Sequence, residues 1–211
     1  MADGDSILSR VREYYDGKLQ THGATARGVD WKSAESQELR FVQLARLIDE
    51  RRAFSVNDYG CGYGSLVDYL ERRSFQFEYT GFDISTKMIA RAHELHAGAN
   101  HARFTSDRDQ LQQADYTLAS GIFNVKLNND DATWKDYILE VIETMNSLSR
   151  MGFAFNALTK YSDAEFMRPD LYYADPLFFF DYCKTRYSKY VTLLHDYPLY
   201  EFTILVRKAL P

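Results

Sequence analysis

Cysteine is scarce. Cys61 and Cys183 are the only two in 211 residues, too few for a disulfide framework, and no Cys-x-x-Cys metal pair exists. This usage suits a reducing compartment, and a cytoplasmic protein is expected. Long apolar runs are missing too. Nothing approaches the ~18 uninterrupted apolar residues of a membrane span, so no membrane partner is expected. The opening Met1-Ala2-Asp3-Gly4-Asp5 is acidic with no apolar run behind it, which reads as the absence of a signal peptide. Positive charge is outweighed, with 25 Lys and Arg against 30 Asp and Glu, so a basic stripe for nucleic acid is not supported. All four prolines lie beyond residue 168, leaving the first two-thirds free for regular structure. No repeat, low-complexity tract or linker interrupts the chain. A single domain over 1–211 is expected: N-terminal helices and a cap loop over 1–52, then a core over 53–211 with a candidate lid at 158–175.

What is abundant is aromatic side chain, 15% of the residues. Such content fills a core or lines a pocket. Hydrophobic periodicity predicts an amphipathic helix over 6–18, a loop over 21–32, and a helix capped by Ser33 with Phe41, Leu44, Ala45 and Ile48 on one face. Strands are predicted over 54–59, 77–83, 102–106, 116–120 and 153–157. Helices are predicted over 65–73, 86–97 and 176–187, and along a long apolar face from Trp134 to Leu148. Asp130-Asp131 start that long helix, where acids complement the dipole. Strands alternating with helices imply a mainly parallel sheet. The last two strands, 190–197 and 201–207, are joined too tightly for a crossover and must pair antiparallel.

The chemistry concentrates at the ends of the first two strands. Asp58 closes the first, and Gly60-x-Gly62-x-Gly64 follows, a turn that needs positive φ and no side chain against a ligand. Asp83 closes the second, where open α/β sheets bind ligands. Its carboxylate suits a pair of ribose hydroxyls. Ser65 stands where a dinucleotide fingerprint wants a third glycine, which disfavours a pyrophosphate.

This layout resembles the core of the class I S-adenosylmethionine (SAM)-dependent methyltransferases over residues 54–207. The resemblance implies a Rossmann-like doubly wound sheet of seven strands in the order 3-2-1-4-5-7-6, and SAM as cofactor, with S-adenosylhomocysteine (SAH) as its product. It implies cofactor contacts from Asp58, Gly60, Cys61, Gly62, Tyr63, Asp83, Ile84 and Met88, from Ser106 and Asp107 after the third strand, and from Ser120 and Gly121 after the fourth. Asp109 competes with Asp107 for the adenine amino group, and either acid also suits a helix cap. Met88 suits helix packing equally well.

The elements flanking such a core usually cover its site. Tyr15 is therefore a candidate cofactor contact, and Trp31, Asn124, Tyr161 and Tyr172 are candidate substrate contacts. His22 is the candidate general base, with His195 and Tyr197 behind it. His93 and His96 lie three apart on a helix without a third ligand, so a solvated helix face is expected there and no metal. The function expected is methyl transfer to a small-molecule acceptor. The alternatives are an NAD(P)-dependent oxidoreductase and a non-catalytic module that binds SAM or a partner.

Overall fold

The computed structural model describes residues 2–209, with side chains from residue 7 onward. The single-domain expectation reaches past these limits, residues 1, 210 and 211 lying outside the described residues. Helix α1 (Ala2–His22) leads through a 3-10 turn at Ala26–Val29 to α2 (Ala34–Ala45). Strands and helices then alternate: β1 (Phe54–Tyr59), α3 (Ser65–Arg72), β2 (Phe77–Phe82), α4 (Thr86–Leu95), β3 (Ala102–Thr105) and β4 (Ala114–Ala119). Next come α5 (Asp131–Leu148), β5 (Ser149–Leu158), α6 (Pro176–Arg186), β6 (Tyr190–Leu194) and β7 (Glu201–Arg207).

The seven strands form one sheet in the order β3-β2-β1-β4-β5-β7-β6, as expected. β3, β2, β1, β4 and β5 run parallel, and β7 pairs antiparallel with both β5 and β6. Successive side chains divide between two cores, as strand pleating requires. On β7, Leu205 packs with Leu44, Leu66 and Leu70 on one face, while Ile204 and Val206 pack with Ile138, Ile142 and Phe179 on the other. The long apolar face of α5 is buried as expected, and Trp134 Nε1 donates to the Phe123 carbonyl at 2.8 Å. No helix among the described residues is long and apolar enough to cross a membrane.

The caps follow the sequence. Ser33 forms a capping box with Ser36, Ser85 accepts from Met88 N–H, and Asp130 accepts from Ala132 and Thr133 N–H. Several boundaries differ, most by one or two residues. The first helix continues past Lys18 to His22, and the expected loop behind it contains a 3-10 turn. That turn closes on buried Gly28, whose missing Cβ would lie 1.9 Å from the Gly23 carbonyl oxygen. β5 begins at Ser149 because α5 runs straight into it, with Ser149 Oγ donating to the Met145 carbonyl. β6 stops at Leu194 rather than Tyr197.

His96 corrects a second expectation. Its imidazole is buried and stacks on Phe104, their centroids 5.4 Å apart, rather than lying on a solvated helix face. Phe104 and His96 back the glycine turn. A Cβ on Gly64, at φ +87°, would come within 2.8 Å of Phe104 and 2.9 Å of His96. Gly64→Ala is therefore expected to destabilise the protein by about 2–4 kcal/mol, combining left-handed strain with overpacking. Urea unfolding measures it, and a loss under about 1 kcal/mol would show that this layer yields easily.

Candidate active site

The strand order reverses between β1 and β4, so the crevice at their carboxyl ends is where an α/β sheet places a ligand. The turn after β1 holds Gly60, Gly62 and Gly64 at φ +85°, +55° and +87°. Gly60 and Cys61 N–H both donate to the Phe82 carbonyl at 2.7 and 2.9 Å, tying the turn to the end of β2. Asp83, next in the chain, completes the tie. Its Oδ2 accepts Gly62 N–H at 2.9 Å and its Oδ1 accepts Ser85 N–H at 2.8 Å, leaving each oxygen a second lone pair.

Two acids face this cavity with altered acidity. Burial pushes Asp83 up to about 6, against the two N–H bonds that favour its ionised form, and Asp16 adds to the rise. Burial pushes Asp58 up to about 7, opposed by the Tyr79 hydroxyl that donates at 2.7 Å and reinforced by Asp83. Such a pair suits positive charge and hydroxyl donors. Ser120 Oγ, in the same wall, is buried without a hydrogen-bond partner. The donor set thus matches a cofactor that carries an amino acid, a cationic centre and a ribose.

The cap comes from the N-terminal segment. Tyr15, Val29 and Trp31 close over Asp58, Gly60, Cys61, Gly62, Asp83, Met88, Ser120 and Gly121, and the enclosed volume is ≈ 70 Å³. Pockets for drug-sized ligands measure roughly 300–1,000 Å³, so the cap has to shift before a nucleoside enters. The contacts that close it are specific. The Trp31 ring lies 2.0 Å from where a Gly121 Cβ would be, and Val29 lies 3.0 Å from that of Gly62. α1 is fastened beside the site by Asp16, which accepts from Ser85 Oγ and pairs with Lys87 at 3.3 Å. A second, open groove of ≈ 870 Å³ holds Ile84, Ser106, Asp107 and Asp109 with Tyr59, Phe82, Arg108 and Tyr137.

Beneath Trp31 lies a buried ion pair. Arg40 donates to Glu201 through Nε at 2.9 Å and Nη2 at 2.6 Å. Glu201 also accepts from Asn156 Nδ2 at 2.5 Å, and Asn156 Oδ1 accepts Gly121 N–H at 2.8 Å.

A model for a methyltransferase domain matches residues 56–148. A Mycobacterium tuberculosis (strain ATCC 25618 / H37Rv) protein that bears a methyltransferase name is 53% identical over 164 residues, covering 78% of this chain and 99% of that relative. The chain belongs to the class I SAM-dependent methyltransferases. Solved structures repeat the fold of the methyltransferase. The N-methyltransferase NodS of Bradyrhizobium japonicum WM9, in complex with SAH, superposes with a TM-score of 0.64 at 15% identity, over 93% of this chain and 97% of that one. A SAM-dependent methyltransferase from Aquifex aeolicus gives 0.58 at 12% identity, over 84% and 94%.

Most expected cofactor contacts of the methyltransferase gather at the two clefts. Tyr15, Asp58, Gly60, Cys61, Gly62, Asp83, Met88, Ser120 and Gly121 line the closed cavity, and Trp31 joins them from the cap. Ile84, Ser106 and Asp107 line the open groove. Asp107 also caps the 3-10 turn Arg108–Gln110, accepting Asp109 N–H at 3.0 Å.

Five expected residues sit elsewhere. Tyr63 turns away from the cavity and is buried, its hydroxyl donating to Gln37 Oε1 at 3.3 Å. Asn124 spends its side chain on structure, donating toward Glu201 at 3.5 Å and accepting Leu158 N–H at 3.0 Å. Tyr172 is buried in the core, and Tyr161 is 57% exposed beside His195. His22 is exposed on the last turn of α1 and lines neither cleft. Of the two alternative bases, Tyr197 is buried against Thr203 and His195 is exposed.

Val29, Gln37, Ser65 and Ile122 line the cavity without having been anticipated. Nor were Arg40, Glu201 and Asn156. Arg40 and Glu201 lie 161 positions apart, and no local pattern pairs them.

Proposed function

We propose that this methyltransferase acts on a small, largely planar acceptor, and that its chain forms one unit in which the N-terminal segment roofs the core. The single observation behind the acceptor is the roof itself. Trp31 lies on Gly121 over an ion pair already neutralised, where a narrow apolar slot favours a flat molecule over a phosphate backbone. The net charge of −5 works in the same direction.

In this reading Asp83 takes the ribose hydroxyls, while Asp58, Gly60 and Gly62 face the amino-acid end. Ile84, Ser106 and Asp107 flank the adenine. SAM supplies, when bound, a methyl group on a positively charged sulfur, open to in-line displacement. The chain contributes orientation and exclusion of water. Asp58, held by Tyr79, offers ionised carboxylate to positive charge. Ser120 Oγ offers a hydroxyl with no other partner. No base is assigned to His22, whose exposure puts it away from the reacting end. An acceptor that is already anionic needs none.

The test is methyl transfer from labelled SAM into a metabolite extract, total RNA and a protein extract in parallel. Label in the metabolite fraction is expected. Salt-sensitive label in RNA alone, or label confined to protein, would overturn the small-acceptor reading.

A further inference from the structure

Trp31 stands out because its indole lies between the Arg40 guanidinium and Gly121 at the mouth of the cavity. The Arg40 guanidinium carbon lies 3.8 Å from the Trp31 ring centroid, a stacking contact. Around its edge all three guanidinium nitrogens donate. Nε and Nη2 go to Glu201, and Nη1 donates to the Ser36 carbonyl at 2.5 Å. Glu201 is 1% exposed and Arg40 7%. The same carboxylate holds Asn156, which holds the Gly121 N–H. One buried network therefore sets both the platform beneath the indole and the glycine, at φ +74°, beside it.

The indole itself belongs to a short link. Its backbone N–H is bonded to the Ala26 carbonyl, and it lies between Asp30, at φ +63°, and the Ser33 cap. Asp30 is anchored to α1 by Tyr14 and Lys18, each at 2.6 Å.

We propose that the slot between the Arg40 guanidinium and Gly121 is the acceptor's ring site, and that Trp31 plugs it until a planar acceptor displaces the indole and stacks on Arg40. Three observations carry this. With the indole in place the cavity offers only ≈ 70 Å³, and Trp31 is the cap residue that fills the space against Gly121 at the carboxyl end of β4. The wall at the outer edge of the indole is a glycine, and any Cβ there would strike the ring now in the slot. The guanidinium is flat, and Glu201 neutralises it. It thus offers a stacking face but little free charge, a surface that selects a conjugated ring over an aliphatic or anionic group. Arg40 is in this view a specificity-determining residue, and Glu201 and Asn156 are positioning residues that act through it and through Gly121. The inference rests on the small planar acceptor proposed above.

The test uses the full chain labelled with 5-fluorotryptophan. The sequence has two tryptophans and Trp134 is fully buried, so two fluorine resonances arise, and Trp31→Phe assigns them. SAH is titrated first. Then come fragments of matched size, 1-naphthol and indole as planar rings and decahydronaphthol as an aliphatic one. The planar fragments are expected to move the Trp31 resonance toward its solvent-exposed position and to bind about tenfold tighter than the aliphatic one.

Arg40→Lys keeps a charge for Glu201 but loses the flat face. It should erase that preference while SAH affinity stays within about twofold. Equal binding of planar and aliphatic fragments overturns the inference, as does a Trp31 resonance that stays in place at saturation. If the lysine variant does not fold, fragment selectivity in the unmodified protein still decides. An aliphatic metabolite labelled in the extract assay would sink the ring slot while leaving a small acceptor intact. Failure of SAH to bind would sink the earlier reading instead.

Discussion

Asp83→Ala is expected to lower SAH affinity by about three orders of magnitude in a protein that still folds. Each hydrogen bond to an ionised acceptor contributes roughly 1.5–3 kcal/mol, and two ribose hydroxyls would lose theirs together. The variant also strips the acceptor from Gly62 and Ser85 N–H, which fixes the turn against β2. A stability loss of about 2 kcal/mol is expected from that alone. Most of the core is remote from the site, so cooperative unfolding should persist. Asp83→Asn separates the contributions, since it keeps one acceptor oxygen and removes the charge, and its affinity should fall between the other two. Calorimetry with SAH reads the effect. A folded alanine variant binding within about threefold of the unmodified protein would reduce Asp83 to a structural clamp.

The second large effect is a gain of stability through loss of function. Asp58 sits about three pH units above its ordinary value of 3.8, pushed up to about 7 chiefly by burial. The folded state therefore holds a proton that the unfolded chain releases. Below pH 4 both states are protonated and the burial penalty vanishes. Between pH 4 and 7 stability falls as pH rises, and above 7 the full penalty of about 4 kcal/mol applies. Asp58→Asn removes the charge and retains an oxygen for Tyr79. Its melting temperature should exceed that of the unmodified protein by roughly 10 °C at pH 8.5 and match it near pH 4, with SAM binding lost. A gap that is constant with pH would show that Asp58 ionises freely. Bound positive charge should relieve the same penalty. Stabilisation by SAM should therefore grow from pH 5.5 to 8, and flat thermal shifts across that range would contradict it.

The candidate cofactor cleft was legible because its parts are close in sequence. Asp58, Gly60, Gly62 and Asp83 fall within one strand-turn-helix-strand unit, and the backbone geometry of that unit is local. The same locality misled at Tyr63. In a turn with three glycines at positive φ, one residue's step reverses the side chain, and Tyr63 points to Gln37. His22 failed for a different reason. The helix of Ala2–His22 outruns its apolar periodicity, leaving the imidazole on its exposed end rather than on a closing loop. The ion pair beneath the cap was illegible throughout. Arg40 resembles any surface cation of an amphipathic helix until β7 brings Glu201 beneath it. Asn124 and Tyr172, which carry the polarity and aromaticity that suggest a substrate wall, are spent on joining loop to strand and on the core.

The two cysteines, too few for a disulfide framework, turn out to be timekeepers. Cys61 lies under the glycine turn, its Sγ 2.8 Å from where a Gly81 Cβ would be, and Cys183 is wholly buried on α6. Burial lifts both thiols, Cys183 to about 12, so neither reacts while the fold is shut. Alkylation then proceeds only through opening. The label at Cys61 counts excursions of the cofactor turn, and the label at Cys183 counts those of the helix behind the terminal hairpin. A ligand that slows the first clock and leaves the second running would time breathing at the site separately from the rest of the molecule.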